Sequence, residues 1–118
     1  IETTSELKYL IFSSLRTSYK YKIKATARIF QAFRIFVNSE LIELEKGIND
    51  TIDLMLKNGI LIVITYHSLE DRIVKNIFKN CSEENLKILT KKPIVPDEEE
   101  KMKNPRSRSV KLRAARKI

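Results

Sequence analysis

Apolar residues recur three or four positions apart through the first half of the chain, which is the spacing of helices with one apolar face. Thr3 and Glu6 fit a capping box, so they predict a short helix that starts there. Residues 16–24 lack this period and indicate a polar, basic connection. Residues 25–46 keep the period longest and predict the longest helix of the chain, which we expect Gly47 to end or interrupt.

A different pattern follows near the middle of the chain. Asn49 or Asp50 can cap a further helix, and residues 58–59 (Asn-Gly) are typical of a helix stop. Residues 60–64 (ILIVI) form an apolar, β-branched run without polar alternation. Such a run predicts a strand covered on both faces, as in a parallel sheet flanked by helices.

The second half of the chain continues with weaker signals for helices and strands. After the predicted strand, Ser68 and Asp71 occupy the N-cap and N3 positions expected for another amphipathic helix. Residues 86–90 and 109–114 predict two more strands, and residues 97–100 an acidic helical turn. The fold class is therefore α/β. These strands leave one side of the central strand without a neighbour, so we expect the carboxyl-terminal portion of a larger α/β domain, or a chain completed by a partner.

Charge is distributed unevenly along the sequence. Residues 1–100 contain fifteen basic and fifteen acidic residues, whereas residues 101–118 contain eight basic residues and no acid, which accounts for the net charge of +8. Residues 7–39 also carry basic residues without any carboxylate. Segregated positive charge attracts polyanions, of which nucleic acid is the commonest. The alternative is a solvated basic surface or a disordered basic tail.

Composition excludes several classes of site. Gly47 and Gly59 are the only glycines and stand apart, so this chain cannot form a glycine-rich nucleotide loop. One histidine and one cysteine cannot supply a usual zinc site, and a lone cysteine suits a reducing compartment. No apolar run is long enough to span a membrane and no secretory signal is recognisable, so we expect a cytoplasmic protein that does not bind a membrane.

The residues best placed for chemistry follow the predicted strand, because ligands of open α/β sheets bind beyond the carboxyl ends of strands. A catalytic triad is excluded here, since neighbours one and three positions apart cannot all face one reacting carbon. The acids equally fit the start of a helix, and the histidine a local hydrogen bond. The candidates for the rim of an active site are His67, Ser68, Glu70, Asp71 and Arg72.

The basic carboxyl-terminal region contains alternating arginines. In an extended conformation Arg106 and Arg108 would lie on one face about 7 Å apart, which suits successive phosphates of a nucleic-acid strand. The apolar residues Val110, Leu112 and Ala114 then alternate as a packed edge strand requires. A disordered tail is the alternative.

Four segments in this order and spacing resemble the MraW-type 16S ribosomal RNA (cytosine-N4) methyltransferases. They are residues 28–35 (RIFQAFRI), 37–41 (VNSEL), 67–75 (HSLEDRIVK) and 104–109 (NPRSRS). The family usually has His-Pro-Ala-Thr before the first of them, whereas residues 24–27 here are Lys-Ala-Thr-Ala. The resemblance covers nearly the whole chain.

The resemblance implies an enzyme that transfers a methyl group from S-adenosylmethionine to the exocyclic amine of a cytidine in 16S ribosomal RNA of the small ribosomal subunit. It implies a Rossmann-like class I methyltransferase domain interrupted by a helical insertion. Residues 1–24 would be the end of that insertion and residues 25–118 the second half of the catalytic domain. The glycine-rich cofactor loop of the family lies upstream, so S-adenosylmethionine would be bound mainly by the amino-terminal half, which is absent here, and this fragment alone would be inactive.

Two classes of function therefore remain open from the sequence. One is the carboxyl-terminal part of the RNA methyltransferase, with no catalytic base identified. The other is a non-catalytic basic RNA-binding module or remnant. Both predict contacts with RNA phosphates through basic side chains of the two basic segments. The candidate RNA contacts are Lys24, Arg28, Arg106, Arg108, Lys111 and Arg113.

Overall fold

The computed structural model describes residues 1–118, which divide into two units, Ile1–Glu40 and Leu41–Ile118. The boundary that the resemblance implies at residue 24 falls inside a helix of the first unit. No helix in the chain is both long and apolar enough to cross a membrane.

The first unit consists of helices α1 (Thr4–Ser14) and α2 (Tyr19–Asn38). The capping box predicted for α1 is confirmed, because the Thr3 side chain accepts from the Glu6 backbone and Glu6 reaches back to Thr3. The prediction that residues 16–24 form a connection is wrong beyond Ser18. Ser18 caps α2, so the lysines of that stretch already lie in the helix.

A break at Ser39 separates α2 from helix α3 (Glu40–Leu54), so the single helix predicted over residues 25–46 is wrong. Ser39 has a left-handed backbone (φ 51°), and its N–H is bonded to the carbonyls at the end of α2. Helix α3 continues through Gly47, and the proposed caps at residues 49 and 50 lie inside it. A left-handed residue other than glycine leaves little signal in the sequence.

The second unit contains a sheet of three strands, β1 (Ile60–Thr65), β2 (Leu86–Ile88) and β3 (Lys111–Lys117). The spatial order is β1-β3-β2, and both pairings are antiparallel. The third strand predicted at residues 109–114 is confirmed as β3, which begins two residues later. Its predicted position at the edge is wrong, because β3 lies in the centre of the sheet.

The side chains of β1 alternate between two environments. Leu61 and Val63 pack against the core, whereas Ile60, Ile62 and Ile64 are 53–57% exposed. The predicted cover on both faces is thus not provided by this chain. The edge of β1 away from β3 also has no strand partner, which confirms that the sheet offers β1 a neighbour on one side.

Two helices cover the inner face of the sheet. Helix α4 (Ser68–Cys81) contributes Val74 and Phe78, and α3 contributes Ile52, to one apolar core with Leu86 and Ala115 of the sheet. The long connection from β2 to β3 contains helix α5 (Glu98–Lys103) and a 3-10 helix (Pro105–Ser109). The acidic helical turn predicted there is confirmed, with Asp97 as the N-cap of α5.

Candidate functional site

The turn from β1 into α4 carries most of the predicted rim residues. Its N-cap is His67, and not Ser68 as predicted, because the Nδ1 atom of His67 accepts the Glu70 backbone N–H at 3.3 Å. Glu70 is therefore at N3, and Asp71 lies one position further on. A histidine cap escaped prediction because serine is the far commoner residue at that position.

Glu70 closes the same turn from the other side. One carboxylate oxygen, Oε2, accepts the Tyr66 backbone N–H at 2.8 Å, and the other, Oε1, lies 3.4 Å from His67 Nε2. That nitrogen is buried and lacks a well-aligned hydrogen-bond partner. The turn is thus fixed by reciprocal contacts between His67 and Glu70, whereas Ser68 and Arg72 are exposed.

Asp71 points away from this turn and into the protein. Its carboxylate accepts two hydrogen bonds from Arg113 of β3, from Nε at 2.7 Å and from Nη2 at 3.1 Å. The side chains of both residues are at most 10% exposed. Lys111 Nζ adds a second positive charge 3.8 Å from Asp71 Oδ2. This pair joins the first turn of α4 to the central strand.

The pKa of the Asp71 carboxyl lies below its usual value. The main cause is the pair of hydrogen bonds from Arg113, which favour the charged form and outweigh the opposing effect of burial. Attraction from Lys111 and Lys75 lowers the pKa further. Asp71 is therefore ionised at neutral pH and serves as the partner of a buried cation.

This arrangement separates Arg113 from the other predicted RNA contacts. Arg113 is 8% exposed, and its Nε and Nη2 atoms are bonded to Asp71, whereas the other candidates are exposed or half-buried. The role of Arg113 as an RNA contact stays a prediction, while the structure shows that its main partner in this chain is Asp71. The pair was missed because its members lie 42 positions apart and only the fold brings them together.

Arg106 and Arg108 are exposed as predicted, but their backbone is not extended. They belong to the 3-10 helix, where residues two positions apart point in different directions, so the arrangement on one face is wrong. Asn104 caps this helix, and the Ser107 hydroxyl donates to the Asn104 carbonyl at 2.7 Å. The two arginines therefore project from a well-ordered turn.

The other basic candidates belong to other elements of the chain. Lys24 and Arg28 belong to the first unit, where they are exposed and four positions apart on one face of α2. Lys111 is half-buried at the start of β3 in the second unit.

A cleft of about 330 Å³ lies between α4, β2 and the segment after β2, and we call it the α4–β2 cleft. Its apolar part is formed by Phe78 and Ile88. Three exposed lysines also line it. They leave no common signal in the sequence, because two of them lie on α4 and the third follows β2. They are Lys75, Lys79 and Lys91.

The chain has a mixed α/β fold. The side chains whose hydrogen bonds hold the turn after β1, His67 and Glu70, lie in the motif segment at residues 67–75. The model of the MraW methylase family matches residues 1–118, so the chain belongs to the MraW methylase family. The resemblance noted from the sequence is thereby confirmed.

Similar curated proteins carry the name ribosomal RNA small subunit methyltransferase H. The protein of Sulfurihydrogenibium sp. (strain YO3AOP1) is 51% identical over 120 residues, covering 100% of this chain and 41% of the relative. Those of Ehrlichia canis (strain Jake) and Leptospira borgpetersenii serovar Hardjo-bovis (strain JB197) are 48% and 49% identical. They are matched over 100% and 99% of this chain and 42% and 38% of their own lengths. The chain therefore spans about two fifths of these relatives.

Proposed function

We propose that this chain is the carboxyl-terminal part of an enzyme that transfers a methyl group from S-adenosylmethionine to the N4 amine of a cytidine in 16S ribosomal RNA. The observation that carries the proposal is the match of the entire chain to relatives named ribosomal RNA small subunit methyltransferase H. In this proposal residues 1–24 end a helical insertion, and residues 25–118 form the second half of a Rossmann-like domain.

The uncovered side of the sheet supports a larger catalytic domain. The outer face of β1 exposes three isoleucines, and its free edge offers unpaired backbone groups. Exposed apolar faces and edges of this kind are usually covered by other polypeptide. We propose that the portion of the relatives beyond the matched segment covers both.

The residues of this chain do not fit the whole of a cofactor site. S-adenosylmethionine carries a positively charged sulfonium, and the α4–β2 cleft is lined by three lysines and no carboxylate. Like charges repel, so that cleft is a poor place for the methyl donor. We therefore propose that the donor is bound mainly outside this chain.

The turn after β1 is proposed as part of the active-site rim. Its backbone is fixed at both ends, because Glu70 holds Tyr66 N–H and His67 holds Glu70 N–H. A rigid turn can hold a splayed-out base in line with a methyl donor, which is the positional requirement for methylating an amine whose lone pair is delocalised. No side chain here is assigned as a base.

RNA binding is proposed to use the exposed basic side chains. Arg106 and Arg108 on the 3-10 helix and Lys111 beside it serve in the second unit, and Lys24 and Arg28 serve on α2. Guanidinium groups can bind phosphate oxygens in pairs, and lysines act as point charges.

A chimera tests the proposed activity directly. The matched segment of the Sulfurihydrogenibium protein is replaced by this chain, to which it is 51% identical, and the purified chimera is given unmodified small ribosomal subunits with labelled S-adenosylmethionine. We expect label in 16S RNA, and mass spectrometry of the digested RNA should identify N4-methylcytidine.

The controls separate the two classes of function. The same relative with the matched segment deleted should transfer no methyl group. A folded chimera that binds small subunits and leaves them unmethylated would contradict the enzymatic proposal and favour a non-catalytic RNA-binding module. Label on another base would contradict the assignment to cytidine N4.

A further inference from the structure

The three lysines of the α4–β2 cleft form no ion pair within the protein, and only Lys75 is close enough to Asp71 to lower the pKa of that carboxyl. Lys75 and Lys79 lie four positions apart on one face of α4, and Lys91 follows β2. None of the three takes part in an ion pair, although Lys101, Lys103 and Lys111 elsewhere in the chain do. The cleft therefore presents uncompensated positive charge.

The remaining cation of the cleft does not change this balance. Arg113 lines the cleft, but its charge is matched by the Asp71 carboxylate 2.7 Å away. No acidic side chain lines the cleft itself. The net charge facing its interior is that of the three lysines, and low-dielectric walls concentrate the field of such charges.

Beside these charges lies an apolar wall. Phe78 is 2% exposed and Ile88 is half-buried, and these hydrocarbon side chains cannot solvate an ion by themselves. The volume of about 330 Å³ lies at the lower end of the range of ligand pockets, about 300 to 1,000 Å³. A ligand that fits is therefore small, anionic at one end and flat or apolar at the other.

We propose that the α4–β2 cleft binds one nucleotide unit of an RNA chain, with its phosphate on Lys75, Lys79 and Lys91 and its sugar or base against Phe78 and Ile88. Lysine is a common phosphate ligand and acts as a point charge. The proposal rests on the proposed function for the identity of the polymer. It adds a binding position that includes Lys75, the last residue of the motif segment 67–75, and otherwise lies outside the four segments. The phosphate chemistry is the same for a free nucleotide, so the experiment distinguishes the two sources.

The first arm measures RNA binding by the full chain. Fluorescence anisotropy with a labelled single-stranded oligonucleotide is recorded over a series of salt concentrations for the unmodified chain and for K75Q/K79Q. We expect roughly tenfold weaker binding and a salt slope smaller by at least about 0.7, the contribution of one phosphate on a single strand. The matched control is K46Q/K57Q, which removes two exposed lysines outside the cleft and should leave both quantities nearly unchanged.

The second arm uses cytidine monophosphate and inorganic phosphate as probes, followed by amide NMR of the full chain. A nucleotide site predicts saturable shifts at residues 75–79 and 88–91 with cytidine monophosphate, weaker shifts with inorganic phosphate, and neither in K75Q/K79Q. If cytidine monophosphate shifts these amides in the unmodified chain but K75Q/K79Q binds RNA with unchanged affinity, the ligand of the cleft is a free mononucleotide. That result would overturn the proposal that the cleft binds an RNA chain.

The outcomes keep this proposal separate from the proposed function. The nucleotide site in the cleft is overturned if the unmodified chain and K75Q/K79Q bind RNA with the same affinity and salt slope, and cytidine monophosphate causes no shifts in the cleft. This result would leave the methyltransferase proposal intact. Nucleotide shifts in the cleft together with an inactive chimera support the cleft and contradict the enzyme.

Discussion

The ion pair between Asp71 and Arg113 gives the sharpest prediction about this fold. Replacing Asp71 by Asn removes the negative charge and leaves a buried guanidinium that had donated hydrogen bonds of 2.7 and 3.1 Å to the carboxylate. Breaking one partner of a buried pair costs about 3 to 5 kcal/mol. Lys111 also loses its nearby carboxylate in this variant. We therefore expect the free energy of unfolding to fall by about 3 kcal/mol or more at pH 7.

The dependence on pH follows from the direction of the pKa shift. The pKa of Asp71 is lowered in the folded chain, so the pair contributes fully above the pKa of an unfolded aspartate, about 3.9, and the contribution is lost as the pH falls through the lower folded value. Urea unfolding of the unmodified chain and D71N should show a gap in the free energy of unfolding at pH 7, and this gap should shrink as the pH falls below about 3.9.

Two controls make this measurement specific to the pair. D53N changes an exposed aspartate on α3 and should alter stability by less than about 0.5 kcal/mol. The double variant D71L/R113M replaces both charges by apolar groups and should recover most of the loss. A loss below about 1 kcal/mol in D71N, or a gap that does not change with pH, would refute the reasoning about a buried pair.

Three further predictions concern the turns and the helix α3. R106A/R108A should reduce the salt slope of RNA binding by up to about 1.4, and an unchanged slope would remove the 3-10 helix from the interface. E70A removes the acceptor of the Tyr66 N–H and should lower the free energy of unfolding by about 1 kcal/mol, measured by urea titration. G47A should raise the melting temperature through a gain of about 0.5 to 1 kcal/mol, because Gly47 is helical and an added Cβ would have no atom within 4 Å apart from its chain neighbours and the backbone of its own helix; a lower melting temperature would contradict this.

The parts of the fold that the sequence predicted well depend on local signals. Thr3 and Glu6 lie within one helical turn, Asp97 directly precedes its helix, and the apolar run of β1 is contiguous. Each of these features is decided by residues that are near neighbours along the chain. Capping and β-branching therefore located the elements to within a few residues.

The parts that were wrong depend on the tertiary structure. The alternation of Arg106 and Arg108 with serine fits a strand as well as a 3-10 helix, and the choice follows from the Asn104 cap and the buried Ser107. The central position of β3 is fixed by pairing with β1, about fifty residues earlier. The pairing of Arg113 with Asp71 was missed for the same reason, because it depends on β3 lying beside α4.

The uninterrupted apolar run of β1 connects the sequence to the proposed function. A strand with one face in water normally alternates apolar and polar residues, yet the exposed positions of β1 are all isoleucine. Complete burial of an isoleucine is worth about 1.5 to 3 kcal/mol, so covering the three half-exposed side chains would add roughly 2.5 to 5 kcal/mol. The run thus matches a strand covered on both faces, and this chain covers one of them. This chain matches 38–42% of the length of the relatives described above. We propose that the remaining part of such a protein covers the exposed face of β1.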